Sequence, residues 1–234
     1  MELQRDIYAQ KALTLMNESS ESIFLTGKAG TGKSTLIQDF ITHSAKNLLL
    51  LASTGIAAIN LGGRTIHSFF LFHPGMTTQE VEFEYHLVRS RIDLLKKIDA
   101  IVIDEISMVR ADLLDCIDIA LRQALDPDLP FGGKQMIFVG DLYQLPPIVR
   151  PEEEGYFEEQ YTSPFFFSSF AYQKLAPAVI ELQTIYRQED QVFKNMLNKI
   201  RLGISTSDLE QLNARISAQI PDDTQYLRLM TTNA

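Results

Sequence analysis

The chain has 234 residues, enough for one large domain or one domain and part of another. Its hydrophobic fraction of 45% is that of a soluble globular protein, and no apolar run approaches the roughly 20 residues of a membrane span. A net charge of −9 argues against a surface coated in basic residues for gripping duplex DNA, but not against a narrow groove lined by backbone donors, hydroxyls and a few cations.

Met1 opens directly into a polar, amphipathic segment with no secretory or transit pattern. The expected compartment is therefore the cytoplasm or nucleoid of a bacterium, or a nucleus or mitochondrion if a leader has been removed. The single Cys116 excludes an internal disulfide and, in an apolar-periodic segment, reads as packing. Leu3, Ile7, Leu13 and Met16 recur at near-helical spacing, and Gln10 falls within that helix. The apolar run Ile23-Phe24-Leu25 then leads into Gly27-Lys28-Ala29-Gly30-Thr31-Gly32-Lys33-Ser34, which fits the phosphate-loop pattern. Its glycines let backbone N–H groups from Gly27 through Ala29, Gly30, Thr31, Gly32 and on to Thr35 turn inward around a polyphosphate, where side chains would collide. Lys33 would reach the β- and γ-phosphates, and the Ser34 hydroxyl would ligate Mg²⁺. The helix behind the loop, residues 34–44, adds its positive dipole end. The cofactors expected are ATP and Mg²⁺.

Leu48-Leu49-Leu50-Leu51-Ala52 is a continuous apolar run, as a strand buried on both faces requires. Ser53-Thr54-Gly55-Ile56-Ala57-Ala58 reads as cap residues opening a helix, which Gly62-Gly63 ends before Thr65-Ile66-His67-Ser68-Phe69-Phe70. The hydroxyls and helix-end N–H groups of Thr54, Gly55, Thr65 and Ser68 suit phosphodiester contacts, and His67 or Phe69 could stack on an unpaired base. From chemistry alone the plainer reading is favoured, in which Phe69 and Phe70 are core and His67 is a hydrogen-bonded turn residue. Residues 72–91 are less regular and read as an insertion, a small helical or loop subdomain. Ala100-Ile101-Val102-Ile103 is a second buried strand ending in Asp104-Glu105. There an aspartate can hold Mg²⁺ and a glutamate can polarise the attacking water. A helix follows over residues 110–125, then the strand Met136-Ile137-Phe138-Val139 and the loop Gly140-Asp141-Leu142-Tyr143-Gln144-Leu145-Pro146-Pro147. Gln144 there is either an amide that touches γ-phosphate and water, or an ordinary turn residue. Strands alternating with helices imply a parallel, doubly wound α/β sheet with its ligands at the carboxyl ends of the strands. Val179-Ile180-Glu181-Leu182 would open a second sheet, followed by Tyr186-Arg187-Gln188, a helix over 191–202 and a strand at 226–230. The expected domains are residues 1–177 and an incomplete second unit at 178–234.

Taken in order, the phosphate loop, Thr54 to Ala58, Gly62 to Phe69, Asp104-Glu105-Ile106-Ser107-Met108-Val109, Gly140 to Pro147 and Tyr186-Arg187-Gln188 resemble the motor motifs of the Pif-one family of superfamily-one, type B DNA helicases. The segment 104–122 resembles the family's distinguishing stretch. The resemblance implies a RecA-like P-loop NTPase that couples ATP hydrolysis to 5′-to-3′ translocation on single-stranded DNA. It implies unwinding of forked or tailed duplex, in replication, repair, recombination and telomere maintenance, by a monomer without a membrane partner. On that pattern Gln10 reads adenine, Arg187 is the arginine finger of a second RecA-like domain, and Gln144 senses the γ-phosphate. Thr54, Gly55, Thr65, His67, Ser68 and Phe69 then touch DNA, and 72–91 falls where the family places its strand-separating wedge. The family's later motifs are absent from these 234 residues. Two other classes compete. A P-loop phosphotransferase would need an acceptor pocket and a cationic lid, and no arginine-rich lid segment is found. A nucleotide-switched binding module has no use for Glu105 and Gln144, which both suit hydrolysis.

Overall fold

The structure is a computed structural model and describes residues 7–186, 195–196, 199–201, 203 and 205–213. Helix α1 (Ile7–Glu18) buries Ala9, Ala12 and Met16 along one stripe. Then come β1 (Ile23–Gly27), α2 (Lys33–His43), β2 (Leu48–Ala52), α3 (Gly55–Leu61), β3 (Arg64–Thr65) and α4 (Ile66–Phe70). Two short helices follow, α5 (Thr78–Phe83) and α6 (Arg89–Leu95), before β4 (Ala100–Asp104) and the long α7 (Ala111–Ala124). Strand β5 (Gln135–Val139), α8 (Glu154–Gln160), α9 (Phe170–Leu175) and β6 (Ala178–Leu182) complete the sheet-bearing unit. The strands form one sheet in the order β3-β2-β4-β5-β1-β6, with every pairing parallel. This is the RecA-like P-loop fold expected from the sequence.

Alternation along the strands sends side chains to two cores. Ile23, Leu25, Ala100, Val102, Ile137 and Val139 face one way, onto α1, α2 and Leu61 of α3. Phe24, Leu49, Leu51, Ile101, Ile103 and Phe138 face the other, onto Phe69 and Phe70 of α4, Val81 of α5 and the apolar stripe of α7. A helix layer on each face explains why the strands read as continuous apolar runs. The insertion is helical and belongs to the second core. A capping box between Thr77 and Glu80 starts α5, and Phe72, Val81 and Leu87 are buried among the same side chains as α7.

The expected boundary at Ala178 is corrected. β6 is the sixth strand of the first sheet, paired with β1 from Ile23↔Ala178 through Gly27↔Leu182. Its alternation, with Ile180 and Leu182 buried and Val179 exposed, suits the edge of an existing sheet. A local pattern cannot say which sheet a strand joins. The chain divides instead into Met1–Arg187 and Gln188–Ala234. In the second unit, residues 195–196 and 199–201 are helical, Thr206–Asn213 is a helix, and Lys199 pairs with Asp208 at 2.6 Å. The strand expected at 226–230 lies outside the described residues, as does Arg187.

Candidate active site

The phosphate loop runs from the end of β1 into α2. Gly27 has φ +149°, and a Cβ there would lie 2.8 Å from the Leu182 carbonyl oxygen and 2.9 Å from Thr31 Oγ1. Only glycine lets the loop leave between β6 and its own turn. Thr31 is buried, and its hydroxyl donates to the Lys28 carbonyl at 2.8 Å. Lys33 Nζ donates to the Gly27 and Lys28 carbonyls at 2.6 and 3.2 Å. Gly27 and Thr31 therefore brace the loop. Ala29, Gly30, Gly32, Lys33, Ser34 and Thr35 line a cavity of about 570 Å³, shared with Asp104, Glu105, Gly140, Asp141, Gln144 and Tyr186.

The carboxyl ends of β4 and β5 supply the acidic side of that cavity. Asp104 Oδ1 accepts the Glu105 N–H at 2.9 Å, and Glu105 takes the left-handed conformation at φ 52°, ψ 43°. That conformation is costly for a non-glycine residue and turns the chain sharply at the carboxylate. Burial is the main cause that raises the Asp104 pKa, against its backbone hydrogen bond and Lys33. Burial also raises Glu105, aided by the negative charges of Asp104 and Asp141 and opposed by Lys33. A glutamate raised in this way is a stronger base than an exposed one, which suits proton removal from water. Gln144 follows β5 on an exposed loop and donates to Asp141 Oδ2 at 3.2 Å. It also lines a second cavity of about 380 Å³, with Ser34, Gln38, Thr54, Asn60, Glu105 and Met108 among its walls.

Among the described residues no three His, Cys, Asp or Glu side chains form a metal cage. Ser34 and Asp104 do line one cavity with Glu105. Hard oxygen donors in so small a number fit Mg²⁺, which is normally held by one or two carboxylates together with nucleotide phosphates.

The expected DNA residues divide. Thr54 Oγ1 accepts the Ala57 N–H at 3.3 Å and caps α3, and Thr65 Oγ1 accepts the Ser68 N–H at 3.2 Å and caps α4. Gly55 and Ser68 are exposed beside them, and His67 is half-buried, with burial lowering its pKa. Phe69 is corrected. It is 0% exposed, packs edge-on against Phe70 at 5.0 Å and lies under the Arg91 guanidinium. Its ring is core and presents no face to a base.

The family model described as PIF1-like helicase matches residues 1–211. The chain belongs to that family. It is 37% identical over 223 residues to the ATP-dependent DNA helicase PIF1 of Saccharomyces cerevisiae, covering 92% of this chain and 25% of the yeast protein. A crystal structure of the Bacteroides Pif1 helicase with ADP-AlF3 and ssDNA superimposes with a TM-score of 0.84 at 38% identity, over 94% of this chain and 51% of that one. A second Pif1 structure, described as showing unwinding of forked dsDNA by two coordinating helicases, has a TM-score of 0.85 at 38% identity, over 93% and 53% of the respective chains. This chain therefore spans a quarter of the yeast relative and about half of the solved ones.

Within this PIF1-like site, Gln10 lies on the exposed side of α1 and is not among the residues lining the phosphate cavity. Three cavity residues carry no expectation from sequence, Gly140, Asp141 and Tyr186. Asp141 is 1% exposed. Tyr186 donates its backbone N–H to the Gly30 carbonyl at 2.9 Å, and its ring stands 3.7 Å from where a Cβ on Gly32 would be. All three lie inside the motor motifs Gly140 to Pro147 and Tyr186-Arg187-Gln188, and that membership is the signal the sequence offers.

Proposed function

We propose that the chain is the ATP-binding motor portion of a PIF1-type DNA helicase. The observation that carries this is the convergence of Lys33, Ser34, Asp104, Glu105 and Gln144 on one cavity at the carboxyl ends of β1, β4 and β5. Phosphates lie along the loop N–H groups, with Lys33 following the charge of the γ-phosphate. Glu105 takes a proton from the attacking water, and Gln144 orients that water. Ser34 and Asp104 would hold Mg²⁺, which would supply charge neutralisation of the phosphates. Single-stranded DNA runs past the α3 and α4 caps, contacting Thr54, Gly55, Thr65, His67 and Ser68. Gln10 reads the adenine. The helices of 72–91 act as the strand-separating wedge, Arg187 at the end of the first unit supplies the arginine finger, and the second RecA-like domain follows it. Related Pif1 helicases described with ADP-AlF3, ssDNA and forked dsDNA support ATP and DNA as ligands. Nucleoid or nuclear work in replication, repair and telomere maintenance fits those relatives, and no helix of the described residues is long and apolar enough to cross a membrane.

The test compares titration of a fluorescent ATP analogue with phosphate release, for the unchanged chain and for Glu105→Gln. The variant keeps shape and hydrogen bonding but loses the base, so it should bind nucleotide and not turn over. Undiminished turnover would sink the assignment. Stimulation by small hydroxyl acceptors instead of oligo-dT would favour a phosphotransferase.

A further inference from the structure

Asp141 is a nearly fully buried carboxylate that touches the hydrolytic machinery from behind. It follows Gly140, whose backbone N–H donates to the Leu25 carbonyl of β1 at 3.2 Å. A Cβ on Gly140 would sit 2.9 Å from Ile106 Cγ2 and 3.2 Å from the Ile106 and Ser107 nitrogens. The start of the Gln144 loop is thus pressed against the turn that follows Glu105, and glycine alone allows that approach. From this anchored position Asp141 makes three hydrogen bonds into its own loop. Its carbonyl accepts the Gln144 backbone N–H at 2.9 Å, Oδ1 accepts the Tyr143 N–H at 3.1 Å, and Oδ2 accepts Gln144 Nε2 at 3.2 Å.

Oδ1 is taken by the Tyr143 N–H, and Oδ2 is met by Gln144 Nε2, so the NH₂ end of the Gln144 amide is the one turned to the carboxylate. That leaves the Gln144 carbonyl oxygen, an acceptor, as the end turned away from Asp141. An acceptor can take one hydrogen of the attacking water while Glu105 takes the other. We propose that Asp141 is a positioning residue for hydrolysis, holding the Gln144 amide in the one orientation that offers its oxygen to water. The proposal rests on the ATPase reading above.

Asparagine at this position has one acceptor oxygen for two donors, so Asp141→Asn leaves either the Tyr143 N–H or the Gln144 amide facing an NH₂ group. The experiment is single-turnover hydrolysis of Mg–ATP by excess full chain, for wild type, Asp141→Ala, Asp141→Asn, Gln144→Ala and the Asp141→Ala/Gln144→Ala double variant. Circular dichroism melting confirms that each is folded. Both Asp141 variants should lose about 100-fold in rate at saturation, the size of one transition-state contact. Their KM for ATP should stay within about twofold, the mark of a lost transition-state interaction. In the Gln144→Ala background Asp141→Ala should cost nothing further. Affinity for ADP with aluminium fluoride should fall in the same variants while affinity for ADP does not. Independent, multiplying losses in the double variant, or an unchanged rate in Asp141→Asn, would overturn the role of Asp141 and leave the ATPase reading standing. Failure of the wild-type chain to bind any nucleotide would overturn both.

Discussion

Glu105 holds a costly backbone conformation at the edge of the phosphate cavity. Its φ of 52° is a conformation that glycine adopts freely and other residues do not. Glu105→Gly should therefore melt higher than Glu105→Gln, by about 1 kcal/mol, while neither hydrolyses ATP. Equal stability of the two, measured by denaturant unfolding, would show that the turn carries no strain. Phe69 and His67 make the opposite pair. Phe69 is 0% exposed, so Phe69→Ala should cost about 3–5 kcal/mol as a cavity in the core, and any loss of DNA binding would follow from unfolding. His67, half-buried beside the α4 cap, should tolerate Ala in stability. Its loss should weaken oligo-dT binding by about 1–3 kcal/mol if its ring stacks on a base. Unchanged affinity would return His67 to a turn residue.

Among the elements, α7 ties the site to the rest of the fold. Three of its carboxylates are nearly buried, and each holds a different segment. Asp112 takes the Arg110 guanidinium through two bonds of 3.0 and 2.7 Å, and Arg110 reaches on to Glu153 at 2.8 Å. Asp118 accepts the Phe131 N–H and holds the turn before β5. Asp115 accepts Tyr161 Oη at 3.0 Å and the Phe170 and Ala171 N–H groups at 3.2 and 2.9 Å, which seats the start of α9. Asparagine offers one oxygen where three donors converge. Asp115→Asn should therefore cost about 1–3 kcal/mol. Burial raises the Asp115 pKa above its ordinary value, although its hydrogen bonds pull the other way. Between the unfolded and the raised folded pKa the native state binds more protons, so the stability contributed by this group falls as pH rises through that window. The stability gap between wild type and Asp115→Asn should accordingly narrow from the acid side of the carboxylate range to neutral pH. A gap that widens instead would mean the native state holds Asp115 mainly as the ionised acceptor.

At the scale of the whole molecule, the first unit holds every described member of the phosphate site. Two RecA-like domains close on ATP in motors of this kind, and an arginine finger can be worth roughly 10³–10⁵ in rate. The chain covers 25% of the yeast relative and 53% of a solved Pif1. Residues 1–234 should then bind Mg–ATP, hydrolyse it slowly, respond little to oligo-dT and fail to unwind a 5′-tailed duplex. Robust strand displacement by residues 1–234 alone would refute the two-domain requirement.

The sequence by itself determined that apolar strands alternate with helices and that a phosphate loop follows the first of them. Continuous apolar runs such as Leu48–Ala52 mark strands covered on both faces, and the glycine spacing of the phosphate loop is a local requirement of backbone N–H groups turning inward. Asp104 and Glu105 were legible because they end a strand downstream of that loop. Other features belong to packing and have no local signature. Which sheet β6 joins depends on a free edge at β1, more than 150 positions earlier in the chain. Phe69 reads as core from its chemistry and as a DNA contact from the family resemblance, and α7 and Arg91 around it decide for core. Asp141 is an ordinary loop aspartate until Gly140 is pressed against the Ile106–Ser107 backbone and the carboxylate is enclosed behind Gln144. Burial is set by what the rest of the chain lays over a residue. It is therefore the tertiary structure, through long-range packing, that decided these three.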